Sequence, residues 1–294
     1  MTSSMGHTRF LDKTLLSITR LAEQSLFSEV SAQRRGLLQS LDVRTKLFTL
    51  LFLLVVISLL RTPLAIWLMY GLSLVLAALS RVPLRFFLKR VWLFVPLFSA
   101  AIVLPALLNV ITPGDSVLVI LRLDSPHTWG PYSIPAEIAI TRQGLQGGIV
   151  FISRVAASVS FAVLFTLTSK WSDIFAGLRS LFVPRMFVMT LSLTYRYLFV
   201  FLRQIQDMYR GRKSRTIRSI SSAADRNWTA SRIGVSFKRS VRMSEDIYHA
   251  MISRGFQGEF PVSRRFRARA RDYAWLVTNC GFGVIIVLLE RSLL

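Results

Sequence analysis

Five apolar stretches dominate the chain, at 47–60, 64–79, 91–110, 148–168 and 273–290, and nearly all of its charge lies between them. Runs near 20 residues match the thickness of bilayer hydrocarbon. A segment crossing that layer must satisfy its own backbone hydrogen bonds, which for an isolated segment means helix. The spacing therefore predicts an all-α membrane protein with about five transmembrane helices. A soluble domain is rarely at once 52% hydrophobic and charged to +22. The first stretch is short, since fourteen residues rise only about 21 Å against a core of about 30 Å. We read 47–60 and 64–79 as a tight hairpin turning at 61–63, with Lys46 and Arg61 snorkelling at its ends.

The charge orients these spans. Residues 1–46, 81–90 and 170–272 together carry 32 Lys and Arg against 11 Asp and Glu, which is +21 of the total +22. The sizeable loop on the other side, 111–143, is nearly balanced, with Arg122 and Arg142 against Asp115, Asp124 and Glu137. Positive charge is retained in the cytoplasm, so the N-terminus is expected inside and the C-terminus outside. No cleavable signal peptide is expected, because the N-terminal residues lack a long apolar run.

Four regions follow. Residues 1–46 form a cytoplasmic or interfacial segment, with Phe10, Leu11, Leu15, Ile18, Leu21 and Leu26 at roughly helical spacing within 9–40. Residues 47–168 hold membrane helices one to four; their external loop, 111–143, is rich in Pro, Gly and β-branched residues and reads as short strand-like pieces. Residues 169–272 form a cytoplasmic domain of long amphipathic helices, and 273–294 hold the last membrane helix. Within the cytoplasmic domain a short helix, which Ser172 or Asp173 would cap, ends before Pro184. A long helix over 185–217 places Arg196, Arg203 and Arg210 near one face, with Asp207 set to pair with Arg203 and Arg210. The segment 221–231 reads as a break. A second helix over 235–254 puts Phe237, Val241, Tyr248, Met251 and Ile252 on one side.

The chain lacks the residues of an enzyme. It has no GxxxxGK[ST] phosphate loop. Its histidines, His7, His127 and His249, lie far apart and without metal-ligand spacing, so no metal site is predicted. The single cysteine, Cys280, lies in the last apolar stretch. Arg154 is the one ionisable residue well inside a span. It either snorkels to headgroups, which we favour, or contacts a substrate. Beyond it, Ala156 with Ser160 and Ser158 with Ala162 suit close helix packing.

What remains are two cationic helix ends. Arg254 stands at the end of the second long helix, where the dipole favours a cation. Around it, Ala250 would permit close approach, Gly255 suits the left-handed position that stops a helix, and Phe256 supplies an aromatic anchor. Arg beside an aromatic is typical of interface hot spots, and Arg can fork two hydrogen bonds to a carboxylate.

Several stretches together resemble a known family, over nearly the whole chain. "GLLQSLDVRTKL" (36–47) is similar to the LDPRxKL motif that leads into the first span of transmembrane (T) components of energy-coupling-factor transporters, with Asp42, Arg44 and Lys46 matching and Val43 in place of the proline. "AASVSFAVLFTLTSKW", "TYRYLFVFLRQIQDMYRGRKSRT" and "YHAMISRGF" resemble family segments in the same order, most closely those of the cobalt/nickel type called CbiQ. The family carries two Ala-x-x-x-Arg-Gly coupling motifs. The second is intact, with Ala250, Arg254 and Gly255; the first is degenerate, with Gly211 at its alanine, Arg215 at its arginine and Thr216 at its glycine.

The resemblance implies a non-catalytic subunit of an ATP-driven cobalt or nickel uptake transporter in a bacterial or archaeal plasma membrane. Two ATPase subunits, which bind the ATP and Mg, would dock on the helix tips through Arg254 and Arg215. A separate substrate-binding membrane subunit would lie on the apolar helix faces, with a small accessory membrane subunit and lipid around it. No cofactor is expected on this chain itself. A vitamin-type T component shares these features. A membrane-anchored nucleic-acid binder using the 21 cations of 170–272 is the other alternative; Asp207, Glu245 and Asp246 among them argue against a phosphate-tracking stripe and for no nucleic-acid partner.

Overall fold

The computed structural model describes residues 36–93, 95–107, 109, 114–122, 127–129, 132–134, 137–216, 222–258 and 269–293. Most of the amphipathic segment expected at 9–40, and most of the basic run before the last span, lie outside them. The elements in chain order are α1 (Val43–Leu59), α2 (Pro63–Leu79), α3 (Leu84–Trp92), α4 (Val95–Ala106), β1 (Ser116–Arg122), β2 (His127–Trp129), β3 (Tyr132–Ile134), β4 (Glu137–Thr141), α5 (Arg142–Thr168), α6 (Trp171–Leu178), α7 (Arg185–Arg215), α8 (Ser222–Ser253) and α9 (Ala270–Leu293). The protein is an all-α membrane protein in its main architecture. It divides into two compact units, one within Ser31–Lys170 and Phe266–Leu294, the other within Trp171–Arg265.

In the first unit α5 packs against α1, α2, α3 and α4, and α9 packs on α1. Small residues make the central position of α5 possible. A Cβ on Gly148 would stand 2.7 Å from a Val103 methyl, so α4 lies closer than a side chain would allow. Ala156, Ala157 and Ser160 are buried on the same helix. Of the small pairs expected to pack, Ala156 with Ser160 is buried, whereas Ala162 is exposed. The fully buried Ser160 hydroxyl donates to that of Ser73 on α2 (2.8 Å), which donates to the Tyr70 carbonyl (2.7 Å). Such interhelical bonds in a membrane interior average about 0.6 kcal/mol. Ser160→Ala is therefore expected to lower stability by roughly 0.5–1 kcal/mol. Thermal unfolding in detergent checks this, against an Ala162→Ser control on the exposed face.

The spans differ in detail from the apolar stretches. The third, expected at 91–110, falls mostly on α4, with only the last two residues of α3 inside those bounds, and Pro105 stands within α4. The fourth begins at Arg142 because the Thr141 hydroxyl accepts from the Gly144 amide and caps the helix there (3.1 Å). Among the described residues, α5, α7 and Ala270–Ser292 of α9 are long and apolar enough to cross a membrane, and α2 is a shorter apolar helix. With 17 residues each, α1 and α2 rise about 26 Å. The segment between α4 and α5 forms two antiparallel ladders: β1 pairs with β4 from Ser116↔Thr141 to Arg122↔Glu137, and β2 with β3 from His127↔Ile134 to Trp129↔Tyr132.

Three ionisable side chains of this unit hold backbone rather than headgroups. Lys46 does not snorkel. It is 5% exposed, and its Nζ donates to the Thr168 carbonyl at the end of α5 (3.1 Å). Arg154 does not snorkel freely either: its Nη2 donates to the Leu60 carbonyl just past α1 (2.7 Å). Buried Glu290 near the end of α9 accepts from the Arg61 and Thr62 amides of the hairpin turn. At the other end of the same pair, Asp272 Oδ1 accepts from the Asp42 amide (2.9 Å). So α1 and α9 run parallel and are tied at both ends. Between the ties, Gly283 lets Phe52 and Val56 approach, since a Cβ there would stand 3.0 and 3.3 Å from them.

In the second unit, Trp171 and Phe175 of α6 stack against Tyr195 of α7, with Phe199 one turn on (centroids 5.1–6.3 Å). A left-handed Phe182 (φ 60°) turns the chain, and Pro184 precedes the first turn of α7. The expected break at 221–231 is overturned. From Ser222 onward those residues already belong to α8. The ends of α7 and α8 explain why: Trp228 meets buried Tyr209 edge-on (5.4 Å) and lies under Arg212 (4.1 Å) and Arg232 (5.7 Å). An aromatic fixed between two guanidiniums favours helix where local propensity alone does not.

Candidate functional site: two arginine helix ends

α8 ends as a Schellman motif. The Phe256 amide donates to the Met251 carbonyl (3.1 Å) and the Gly255 amide to the Ile252 carbonyl (2.8 Å), with Gly255 left-handed at φ 77°. Nothing lies within 4 Å of a Cβ built on Gly255, so its backbone conformation, not space, calls for glycine there. The stop leaves Ala250 and Arg254 exposed, with Phe256 half-buried beside them. These are the surroundings that sequence reading assigns to a docking end.

α7 ends differently. Gly211 and Arg215 are exposed, and nothing stands within 4 Å of a Cβ on Gly211. Thr216 sits at the C-cap without a left-handed backbone; its amide donates to the Lys213 carbonyl (3.3 Å) and its hydroxyl to the Arg212 carbonyl (2.9 Å). The hydroxyl thus serves a terminal carbonyl that a glycine stop would serve with backbone. That is a physical reason for threonine in the degenerate motif. Sequence reading missed the brace beneath this end, the Arg212–Trp228–Arg232 stack. Arg at 212 and Trp at 228 were its only sequence trace. Exposed Asp207 lies 4.0 Å from Arg210, a pair worth little in water.

Between the two helices, Phe201, Ile205 and Met208 of α7 face Ile233 and Phe237 of α8 across a cleft of about 420 Å³. Tyr209 beside Trp228, and Phe201 and Ser240 at the cleft's other end, show that the helices cross antiparallel. Their cationic ends therefore lie apart. From Trp228, beside the α7 end, to Arg254 is 26 residues, or about 39 Å along α8 at 1.5 Å per residue. Along α8, Ile233, Phe237, Val241, Tyr248 and Ile252 are exposed by 43–72%, a stripe at four- and seven-residue spacing that continues from the cleft.

The motif that leads into the first span stands in the other unit. Asp42 caps α1, accepting from the Arg44 amide (3.0 Å). Arg44 is exposed, and Lys46 is buried. Sequence reading grouped these three as one motif; the structure divides them into a cap, a surface cation and an interhelix tie.

Residues 35–265 match a family described as CbiQ, cobalt transport protein. An uncharacterized protein of Methanocaldococcus jannaschii is 34% identical over 97% of this chain and 94% of its own length. A transmembrane protein of an energy-coupling factor transporter, EcfT, from Listeria innocua is 25% identical over 75% of this chain and 81% of its own. A cobalt transport protein CbiQ from Rhodobacter capsulatus is 26% identical over 62% of this chain and 65% of its own.

Proposed function

The chain belongs to the CbiQ family and is the transmembrane component of an energy-coupling-factor transporter, and from that premise we propose that it carries motion from two ATPase subunits to a separate cargo-binding membrane subunit during cobalt or nickel uptake. One observation carries this reading: two exposed arginine helix ends on crossed antiparallel helices, held apart by most of the length of α8. That spacing suits two separate sockets better than one. Each end is set on a rigid helix, and a guanidinium there can enter a groove and meet a carboxylate. In this reading α7 and α8 lie in the cytoplasm. Although α7 is long and apolar enough to span, it bears Arg196, Arg203, Asp207, Arg210, Arg212, Lys213 and Arg215 along its outer half. The exposed stripe of α8 and the cleft beside it then receive the cargo-binding subunit.

The complex tests this. Co-expressed with its neighbouring ATPase and membrane subunits, the tagged chain is expected to retain two ATPase chains and a cargo-binding subunit through purification. In vesicles the complex is expected to take up Co(II) or Ni(II) only with ATP present. The purified chain alone is expected to hydrolyse no ATP above a mock preparation. A chain that purifies alone under these conditions, or a complex that takes up a vitamin and neither metal, overturns the proposal or its cargo.

A further inference from the structure

We propose that Asp42, Lys46 and Asp272 form a clamp that holds the two chain crossings flanking Trp171–Arg265, and that this clamp makes ATP-driven motion productive. The inference rests on the coupling role proposed above. The chain leaves the first unit at Lys170 and returns to it at Phe266. Each crossing is anchored within a few residues of its boundary. On the outgoing side, Lys46 Nζ holds the carbonyl of Thr168, two residues before Lys170. On the returning side, Asp272 Oδ2 accepts from the Arg269 amide (2.8 Å) and caps α9. Both anchors converge on one turn, because Asp272 Oδ1 also accepts from the Asp42 amide, one turn before Lys46 on α1.

The clamp is built for stiffness. Lys46 and Asp272 are each 5% exposed. The lysine stem runs past Leu38, Leu50, Leu53, Leu76, Leu164 and Trp275, walls that leave room for about one water. An ammonium in such surroundings has room for about one water in place of its carbonyl partner, so the contact is costly to release. A push delivered to Trp171–Arg265 enters the membrane helices at these two junctions, and both meet a fixed point at the start of α1. Without that point, the same push is spent on unwinding the last turn of α5 or the first turn of α9. Asp42 and Lys46 are four apart, one turn of one helix, so the Asp42 amide and the Lys46 ammonium serve the two crossings from neighbouring turns. These are positioning residues, which touch neither cargo nor nucleotide.

The test uses the complete transporter in vesicles, with Co(II) or Ni(II), whichever the wild-type complex takes up. Lys46→Met keeps the stem and removes the donor; Asp272→Ala removes both acceptors on the other crossing; Lys46→Arg restores a donor. We expect Lys46→Met and Asp272→Ala complexes to assemble with ATP hydrolysis within about twofold of wild type, while ions moved per ATP fall at least tenfold. Lys46→Arg is expected to recover part of that ratio. An unchanged ratio in both variants overturns the clamp. So does failure of both to assemble, or a fall of uptake and hydrolysis in equal proportion, since a role in folding alone predicts those. A wild-type chain that binds no ATPase subunit overturns the coupling role itself, a result separable from the others because it needs no substitution.

Discussion

Arg254→Ala is expected to release one ATPase subunit from the purified complex and to abolish metal uptake. Arg254 is exposed at a helix end whose geometry is set by backbone, so the substitution leaves the α8 terminus intact. Truncating one partner of a buried, hydrogen-bonded charge pair costs about 2–5 kcal/mol, much of it from the carboxylate left unpaired. In affinity that is roughly thirtyfold to several thousandfold. Arg254→Lys is expected to fall between, since an ammonium keeps the charge and loses the fork. Arg215→Ala is expected to weaken the other contact, and less, because the Arg212–Trp228 stack still fixes that end. Binding of each ATPase subunit, followed by native mass measurement and uptake, checks these outcomes. Wild-type stoichiometry and uptake in Arg254→Ala and Arg215→Ala would show that neither arginine is a docking group.

Glu290→Ala is expected to be among the most destabilising single changes in the membrane helices. The carboxylate accepts from two backbone amides, Arg61 and Thr62, where the chain turns between α1 and α2. The side chain is 7% exposed. Leaving two such donors without an acceptor costs about 1–3 kcal/mol each, so a loss of about 2–5 kcal/mol is expected. Glu290→Gln keeps an acceptor oxygen and is expected to lose less than half of that. The same turn is held from the other side by Arg154 on the Leu60 carbonyl. Arg154→Met and Glu290→Ala are therefore expected to be non-additive, with a coupling of about 0.5–3 kcal/mol. Thermal unfolding of the purified protein in one detergent measures all three. Equal stability of Glu290→Ala and wild type would mean that water already serves those amides.

Apolar length made the membrane helices legible, and a left-handed glycine made the end of α8 legible. The rest depended on partners far away in sequence. Lys46 and Arg61 sit at the ends of an apolar run, and nothing local tells a snorkelling cation from one bound to a carbonyl 122 residues on. Glu290 reads as an ordinary polar residue near a helix end, because its two donors lie in a turn 228 and 229 residues earlier. The hydropathy of 91–110 carried the expected third span past the end of its helix, which stops at Ala106. The first third of α8 was hidden for the opposite reason. Ser, Asp, Asn and Thr around Trp228 favour turns locally, and the tryptophan that overrides them acts through Tyr209 and Arg212 of the neighbouring helix. For the docking ends, residue types were legible and separation was not, since the antiparallel crossing of α7 and α8 sets it.

The parallel pairing of α1 with α9 has a consequence for biosynthesis. The helix that completes the face of Phe52 and Val56 is the last one translated, after the whole of Trp171–Arg265. Until the ribosome has passed Glu290, the hairpin amides lack their acceptor and α1 lacks one of its neighbours. The membrane helices of a nascent chain therefore stay unlocked until α9 arrives, and a chain stopped short of it presents to quality control an unclosed bundle.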